Sequence, residues 1–174
     1  MSDFKNSQTA INLIKAFVGE SQARNRYTFY AKIARQEDLC QVESTFREIA
    51  DNEVDHASVF YNKLIKYGFN NDSIVLKEVK FNISLFETTL ENLKFSANGE
   101  RTEYMETYPE FARIAEKEGY HDISDAFRLI ANVEEEHEKM FLKHIGQMQE
   151  KSIFSKDGKL YCKCSNCGFL NENI

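Results

Sequence analysis

Tryptophan is absent from these 174 residues, proline occurs once and glycine seven times. So few turn-formers exclude a β-rich fold with many tight turns and suit long helices. No run approaches the roughly 20 apolar residues of a membrane span, and the opening MSDFKNSQTAINL has no basic segment ahead of an apolar one. Positive charge is scarce too: 22 Lys and Arg against 28 Asp and Glu give a net charge of −6. That balance leaves no basic footprint for nucleic acid or an anionic membrane. A soluble cytoplasmic protein is expected, with one medium domain and a short extension. Fourteen Phe and eight Tyr supply core volume in place of Trp.

Cysteine is also sparse. Cys40 stands alone and is expected to be a small core or surface residue. Cys162, Cys164 and Cys167 crowd together near the end, which suits metal ligation rather than a disulfide framework.

Apolar spacing divides residues 1–149 into helical segments. The first runs over about 9–37, with Leu13, Phe17, Tyr27, Ala31 and Ala34 on one stripe and Glu20 and Arg24 inside it. The second covers about 42–67, with Phe46, Ile49, Ala57, Phe60 and Leu64 inward and Gly68 as a stop. A third starts near 78, carries Ile83, Phe86, Leu90, Leu93 and Ala97, and should break or kink at Tyr108-Pro109 before restarting towards Gly119. Asp122 is expected to cap a last helix to about 149, with Ile123, Phe127, Ile130, Val133, Phe141, Ile145 and Met148 as its stripe. Residues 150–174 then form a linker and a cysteine-containing tail. The fold expected is an all-α, ferritin-like four-helix bundle built from two helical hairpins.

The chemistry sits in a pattern present twice. Glu20 is followed by Glu53-Val54-Asp55-His56, and Glu100 by Glu134-Glu135-Glu136-His137. The interval from Glu20 to Glu53 is only one position shorter than that from Glu100 to Glu134. Bundles that hold two metal ions take one Glu from each of two helices and a Glu-x-x-His from each of the others. An unpaired carboxylate on an apolar face costs several kcal/mol, so it must protonate, pair or bind a cation. Residues at i and i+3 share a helix face, so the Glu and His of one motif reach the same centre. The midpoints of the two intervals fall at Gln36/Glu37 and at Lys117, both beside turn chemistry, which sets the four segments at one level.

A third match, Glu118-Gly119-Tyr120-His121, carries glycine and lies at a turn, roughly 25 Å from the cluster at 1.5 Å per residue, and is discarded. His144 has no such partner and is expected in the core or at its rim. Imidazole with several carboxylates suits iron or manganese, with zinc as competitor. Arg24 is expected either to neutralise a carboxylate or to lie along the surface. Tyr27, two turns from Glu20, could hydrogen-bond a ligand carboxylate or simply pack. In the tail, Cys164-Ser165-Asn166-Cys167 is half of a tetrahedral site. Cys162 fits poorly as a third ligand; the site is open to truncation, completion by a second chain or vacancy, and no ordered metal is expected there.

The segments Gly19-Glu20-Ser21-Gln22-Ala23-Arg24-Asn25-Arg26-Tyr27 and Tyr108-Pro109-Glu110-Phe111-Ala112-Arg113-Ile114-Ala115 resemble the rubrerythrins, and the likeness spans residues 5–149. Glu103, three residues after Glu100, matches a further carboxylate of that family. The resemblance implies a non-haem di-iron peroxidase that reduces hydrogen peroxide to water. Its electrons would come from a reduced nicotinamide cofactor through a rubredoxin-type iron centre. It implies Glu53 and Glu134 as bridging ligands, Glu20 and Glu100 as terminal ones, and His137 on one iron. His56 and Glu103 would exchange at the other, with Tyr27 and Tyr108 close by. It also implies a homodimer, often with exchanged helices. The tail departs from the family pattern by lacking a second cysteine pair, so a separate rubredoxin is the expected donor. Iron storage and a metal-free scaffold whose tail recruits a partner are the competing functions.

Overall fold

Ser7 accepts a hydrogen bond from the amide of Ala10 at 3.0 Å and so opens the first long helix, α1 (Gln8–Gln36). In this computed structural model, the structure describes residues 4–70, 84, 87–153, 155–156, 159–163 and 169–172. After a 3₁₀ turn at Phe4–Asn6 come α1, α2 (Cys40–Lys66), α3 (Thr89–Thr102), a π-helical turn at Glu103–Thr107, α4 (Tyr108–Glu118) and α5 (His121–Gln149). α1 packs chiefly against α2, and α3 and α4 chiefly against α5, which gives the expected four-helix bundle of two hairpins.

The hairpin turns fall where the interval midpoints place them. α1 stops at Gln36, and Asp38 adopts a left-handed φ of 59° before Leu39 turns into α2. Gly68 (φ 99°) and Gly119 (φ 86°) close α2 and α4 in the same left-handed conformation, which a residue without Cβ adopts at no steric cost. The two turn glutamates then reach across the bundle. Glu37 accepts from the backbone amide of Thr89 at the start of α3, at 3.0 Å. Glu118 accepts from the amides of Gln8 and Thr9 at the start of α1, at 3.2 and 2.9 Å. The residue discarded as part of a metal motif is therefore the cap of α1.

Four details differ from the sequence reading. Helix starts at Thr89 rather than near 78, and Ile83 and Phe86 lie outside the described residues. Tyr108-Pro109 does not break the helix. The π turn just before it resets the hydrogen-bond register, so Pro109 sits in the first turn of α4, where its missing N–H is not needed. Asp122 caps nothing; its carboxylate instead takes Lys63 and Lys66 of α2 and Tyr67 just beyond it, at 2.8, 2.7 and 2.6 Å. Val133 faces outward, 37% exposed, rather than joining its stripe.

Two apolar clusters fill the bundle. One gathers Leu13, Phe60, Tyr108 and Phe127, and the other Tyr27, Phe46, Leu93 and Phe141. Phe46 and Phe127 are separated by the same interval of sequence as Phe60 and Phe141, and each pair is split between the clusters. The halves are thus related by an approximate two-fold axis across the bundle, and the carboxylates lie between the clusters. Burying a phenylalanine of this kind makes its truncation to alanine cost about 3–5 kcal/mol. The tail forms three short antiparallel strands, β1 (Ser155–Lys156), β2 (Lys159–Lys163) and β3 (Leu170–Glu172), in the order β1-β2-β3. Cys162 stands in β2 opposite Asn171, and Cys164 and Cys167 lie outside the described residues. No described helix is long and apolar enough to cross a membrane.

Candidate metal centre

Each wall of the bundle contributes acid to the space between the apolar clusters. Glu20 comes from α1, Glu53 and His56 from α2, Glu100 from α3, and Glu134 and His137 from α5, and all six are buried. Their donor atoms form two overlapping sets. Glu20, Glu53, His56 and Glu134 make one, and Glu53, Glu100, Glu134 and His137 the other, with the atoms of each set within 4.8 Å of one another. Glu53 and Glu134 belong to both, so each can offer one oxygen to either side. His56 Nδ1 lies 2.9 Å from both of these carboxylates. His137 Nδ1 lies 2.7 Å from Glu134 and 3.5 Å from Glu53. The two imidazoles stack with centroids 5.7 Å apart and planes 27° apart.

Electrostatics show what this crowding costs. Burial, and then the charges of Glu53, Glu134 and Glu103, hold the Glu20 and Glu100 carboxyls well above the usual range. Burial pushes Glu103 up to about 8, reinforced by Glu134 and Glu53. Glu53 goes the other way, to about 2: burial opposes its charge, but hydrogen bonds from His137 and His56 outweigh burial. The same bonds overcome burial at the histidines, taking His56 to about 10 and His137 to about 9. Without metal, two imidazolium ions stand where divalent cations would.

The tyrosines are paired crosswise. Tyr27 of α1 donates its hydroxyl hydrogen to Glu100 of α3, and Tyr108 of α4 donates to Glu20 of α1. Tyr108 follows Glu100 by eight residues, whereas Tyr27 follows Glu20 by seven, and the extra residue lies at the π turn. A π turn inside an α-helix takes up one additional residue, and such turns gather at functional sites. This accounts for the extra position in the second of the two repeats. Glu103, on that turn, is half-buried and belongs to neither donor set, so the arrangement has His56 inside the cluster and Glu103 outside.

Arg24 does not neutralise a carboxylate; it is exposed and bonds Asn25 at 3.2 Å. The cation at the site is Arg26, which lies over the rings of Tyr27 and Phe95 at 5.3 and 5.5 Å. Burial works against its charge, but Tyr27, Glu100 and Glu103 raise its pKa. Its position off the apolar stripe concealed it. His144 is buried and bonds Thr45 at 2.8 Å, away from both donor sets. Cys40 is half-buried at the start of α2, its Sγ 3.7 Å from the Asp38 carbonyl.

Whether these residues suit metal ions is tested by their unsatisfied atoms. Glu20 Oε2, Glu53 Oε1, Glu100 Oε2, both oxygens of Glu134 and His137 Nδ1 are buried without a well-directed hydrogen bond. Buried carboxylate oxygens of this kind are rare unless a cation claims them. Four glutamates and two neutral imidazoles, with two carboxylates shared, match a pair of divalent ions in charge and in donor type. A groove of about 460 Å³ between α1 and α2, lined by Phe17, Ser21, Val54 and Ala57, has Glu53 in its wall.

Comparison with known proteins agrees with this geometry. The family model described as Rubrerythrin matches residues 12–145. The chain is 41% identical over 172 residues to Rubrerythrin-1 of Clostridium acetobutylicum, covering 99% of this chain and 87% of that one. It is 39% identical over 172 residues to rubrerythrin of Nitratidesulfovibrio vulgaris, with the same coverages. Among solved structures, nigerythrin in a mixed-valence state superposes with a TM-score of 0.71 at 24% identity, covering 97% of this chain and 81% of that one, which speaks for the fold. With its paired Glu-x-x-His motifs, its crosswise tyrosines and this match over residues 12–145, the chain belongs to the rubrerythrin family.

Proposed function

We propose that this chain is a non-haem di-iron peroxidase that reduces hydrogen peroxide to water, drawing electrons from a rubredoxin-type carrier. The observation that carries the reading is the pair of donor sets sharing Glu53 and Glu134, because shared carboxylates would let two ions act on one substrate. When bound, two iron ions supply one electron each, and cleaving H₂O₂ to two waters takes two electrons and two protons. Glu20, Glu53, Glu100, Glu134, His56 and His137 would hold the ions, and Glu103 would be a further carboxylate donor in place of His56.

The remaining residues bind, orient and shield. The hydroxyls of Tyr27 and Tyr108 fix the carboxylates of Glu100 and Glu20 and hold hydrogens beside the cluster. The apolar clusters above and below exclude bulk water. The groove of about 460 Å³ that has Glu53 in its wall is the route by which peroxide would approach. Electrons come from a rubredoxin-type iron centre, and Cys164-Ser165-Asn166-Cys167 is half of the four-sulfur set that such a centre needs. We place the protein in the cytoplasm, where a thiol cluster stays reduced, and assign it a homodimer.

Anaerobic loading with Fe(II), followed by stopped-flow mixing with hydrogen peroxide, tests the reading. Rapid oxidation of two irons per chain, and turnover with a reduced rubredoxin, is the expected result. Oxidation no faster than that of free iron rejects it. Size-exclusion chromatography separates this function from iron storage, which would need a many-subunit cage instead of a dimer.

A further inference from the structure

The two Glu-x-x-His motifs are matched in spacing but not in what surrounds their histidines. His137 has a polar neighbour at both ring nitrogens. Its Nδ1 faces Glu134 and Glu53, and its Nε2 lies 3.2 Å from the side-chain amide of Asn52 on α2. His56 is engaged at Nδ1 alone, and among the described residues no hydrogen bond reaches its Nε2. The sequence explains the difference. Asn52 stands immediately before Glu53 of the first motif, and the residue in the matching place before Glu134 is Val133, which has no group to donate or accept.

We infer that Asn52 is a positioning residue that tethers His137 and makes the His137 half of the metal centre the tightly held half. The argument rests on the di-metal reading above and adds a residue to it. An imidazole that ligates through Nδ1 must carry its hydrogen on Nε2, and that N–H needs an acceptor to fix the tautomer and the ring plane. The oxygen and nitrogen of an Asn amide exchange places by a half-turn of the side chain, so Asn52 can present Oδ1 to that hydrogen. The tether also runs between helices, from α2 to α5, so the ring is held from outside its own backbone. His56 has only the carboxylates to orient it. The ion on the Glu20–His56 side is accordingly the more weakly held.

Full-length protein titrated with Co(II) under anaerobic conditions tests this, with binding followed by calorimetry and by the hyperfine-shifted imidazole N–H resonances. Wild type should bind two ions with unequal affinity and show one slowly exchanging N–H. N52L should weaken the tighter site by about 10–100-fold, as loss of a residue that orients a ligand does. It should leave the other site unchanged and abolish the slow N–H. N52D, which keeps an acceptor in the same place but cannot donate, should retain both the affinity and the slow N–H. Equal binding by N52L and wild type, or loss in N52D as large as in N52L, overturns the inference while leaving the di-metal reading intact. Fewer than two ions bound by wild type sinks both.

Discussion

Tyr27 and Tyr108 occupy matching places in the two halves of the chain, and each secures the carboxylate of the opposite half, Glu100 and Glu20 respectively. Both phenols are buried, and burial, followed by the charge of the partner carboxylate, holds each hydroxyl protonated far above the usual tyrosine range. Each is therefore a fixed donor. Y27F or Y108F should lower the stability of the metal-free protein by about 1–3 kcal/mol, the cost of leaving a buried acceptor unmet. Urea unfolding measures this. The loss should shrink in metal-loaded protein, where an ion takes up the oxygen.

Neutralising a carboxylate of the cluster should move two properties in opposite directions. E20Q replaces a carboxyl that burial and its charged neighbours force to take up a proton on folding, and metal-free protein near neutral pH should gain on the order of 1–2 kcal/mol. The same change removes a donor, so metal content after anaerobic loading should fall below two ions per chain. Elemental analysis alongside thermal unfolding checks both. A fall in metal-free stability would mean that Glu20 serves packing rather than metal.

Acidity separates the two states of the centre. His56 and His137 have pKa values raised to about 10 and about 9, above the usual value near 6.5. Their contribution to metal-free stability is therefore complete below about pH 6.5 and is lost as pH rises through 9 to 10. Metal must displace those protons, so affinity should rise over the same interval, with proton release on binding. Calorimetry in buffers of different ionisation enthalpy counts the protons. Affinity flat across this range would show that the imidazoles are not displaced.

The turn glutamates offer a prediction remote from the metal. E118Q weakens the cap on the first turn of α1 and should cost about 1 kcal/mol, with metal binding unchanged. Hydrogen bonds from Thr9 and from the amides of Thr9 and Gln8 outweigh burial and hold the Glu118 carboxyl below its usual value. The stability it provides is present above about pH 4.3 and disappears as pH falls through the lower folded value. The gap between wild type and E118Q should therefore close in acid, as urea unfolding at stepped pH would show.

Narrowing the groove between α1 and α2 should slow access without removing a ligand. A57L adds bulk beside Glu53, and peroxide-driven oxidation of the iron-loaded protein should slow severalfold while iron content stays at two. Stopped-flow absorbance reads the first and elemental analysis the second. An unchanged rate would place the entrance elsewhere.

The helices and the acidic cluster were legible because both follow from periodicity. Glu20, Glu53, Glu100 and Glu134 interrupt apolar stripes, and a charge on a buried face demands a reason. Cross-bundle contacts carried no such signal. Asp122 looked like a cap because it stands at a helix start, yet Lys63, Lys66 and Tyr67 compete for it from a helix more than fifty residues earlier. Arg24 has helical spacing from Glu20, but Arg26 is the residue packed on Tyr27 and Phe95. Pro109 marks a helix end by local rules, and a widened turn removes the conflict those rules assume.

That widened turn leaves the second rod with one graduation more than the first. The surplus is absorbed within residues 103–107, so everything beyond it regains step with its counterpart. Cutting a single codon from this stretch would let it close as plain α-helix, with each downstream side chain kept in phase. Tyr108 would then follow Glu100 by seven residues, as Tyr27 follows Glu20, and keep its place on the carboxylate of the other half. Five residues thus hold a spare length that lets this half lose one position where the other could not.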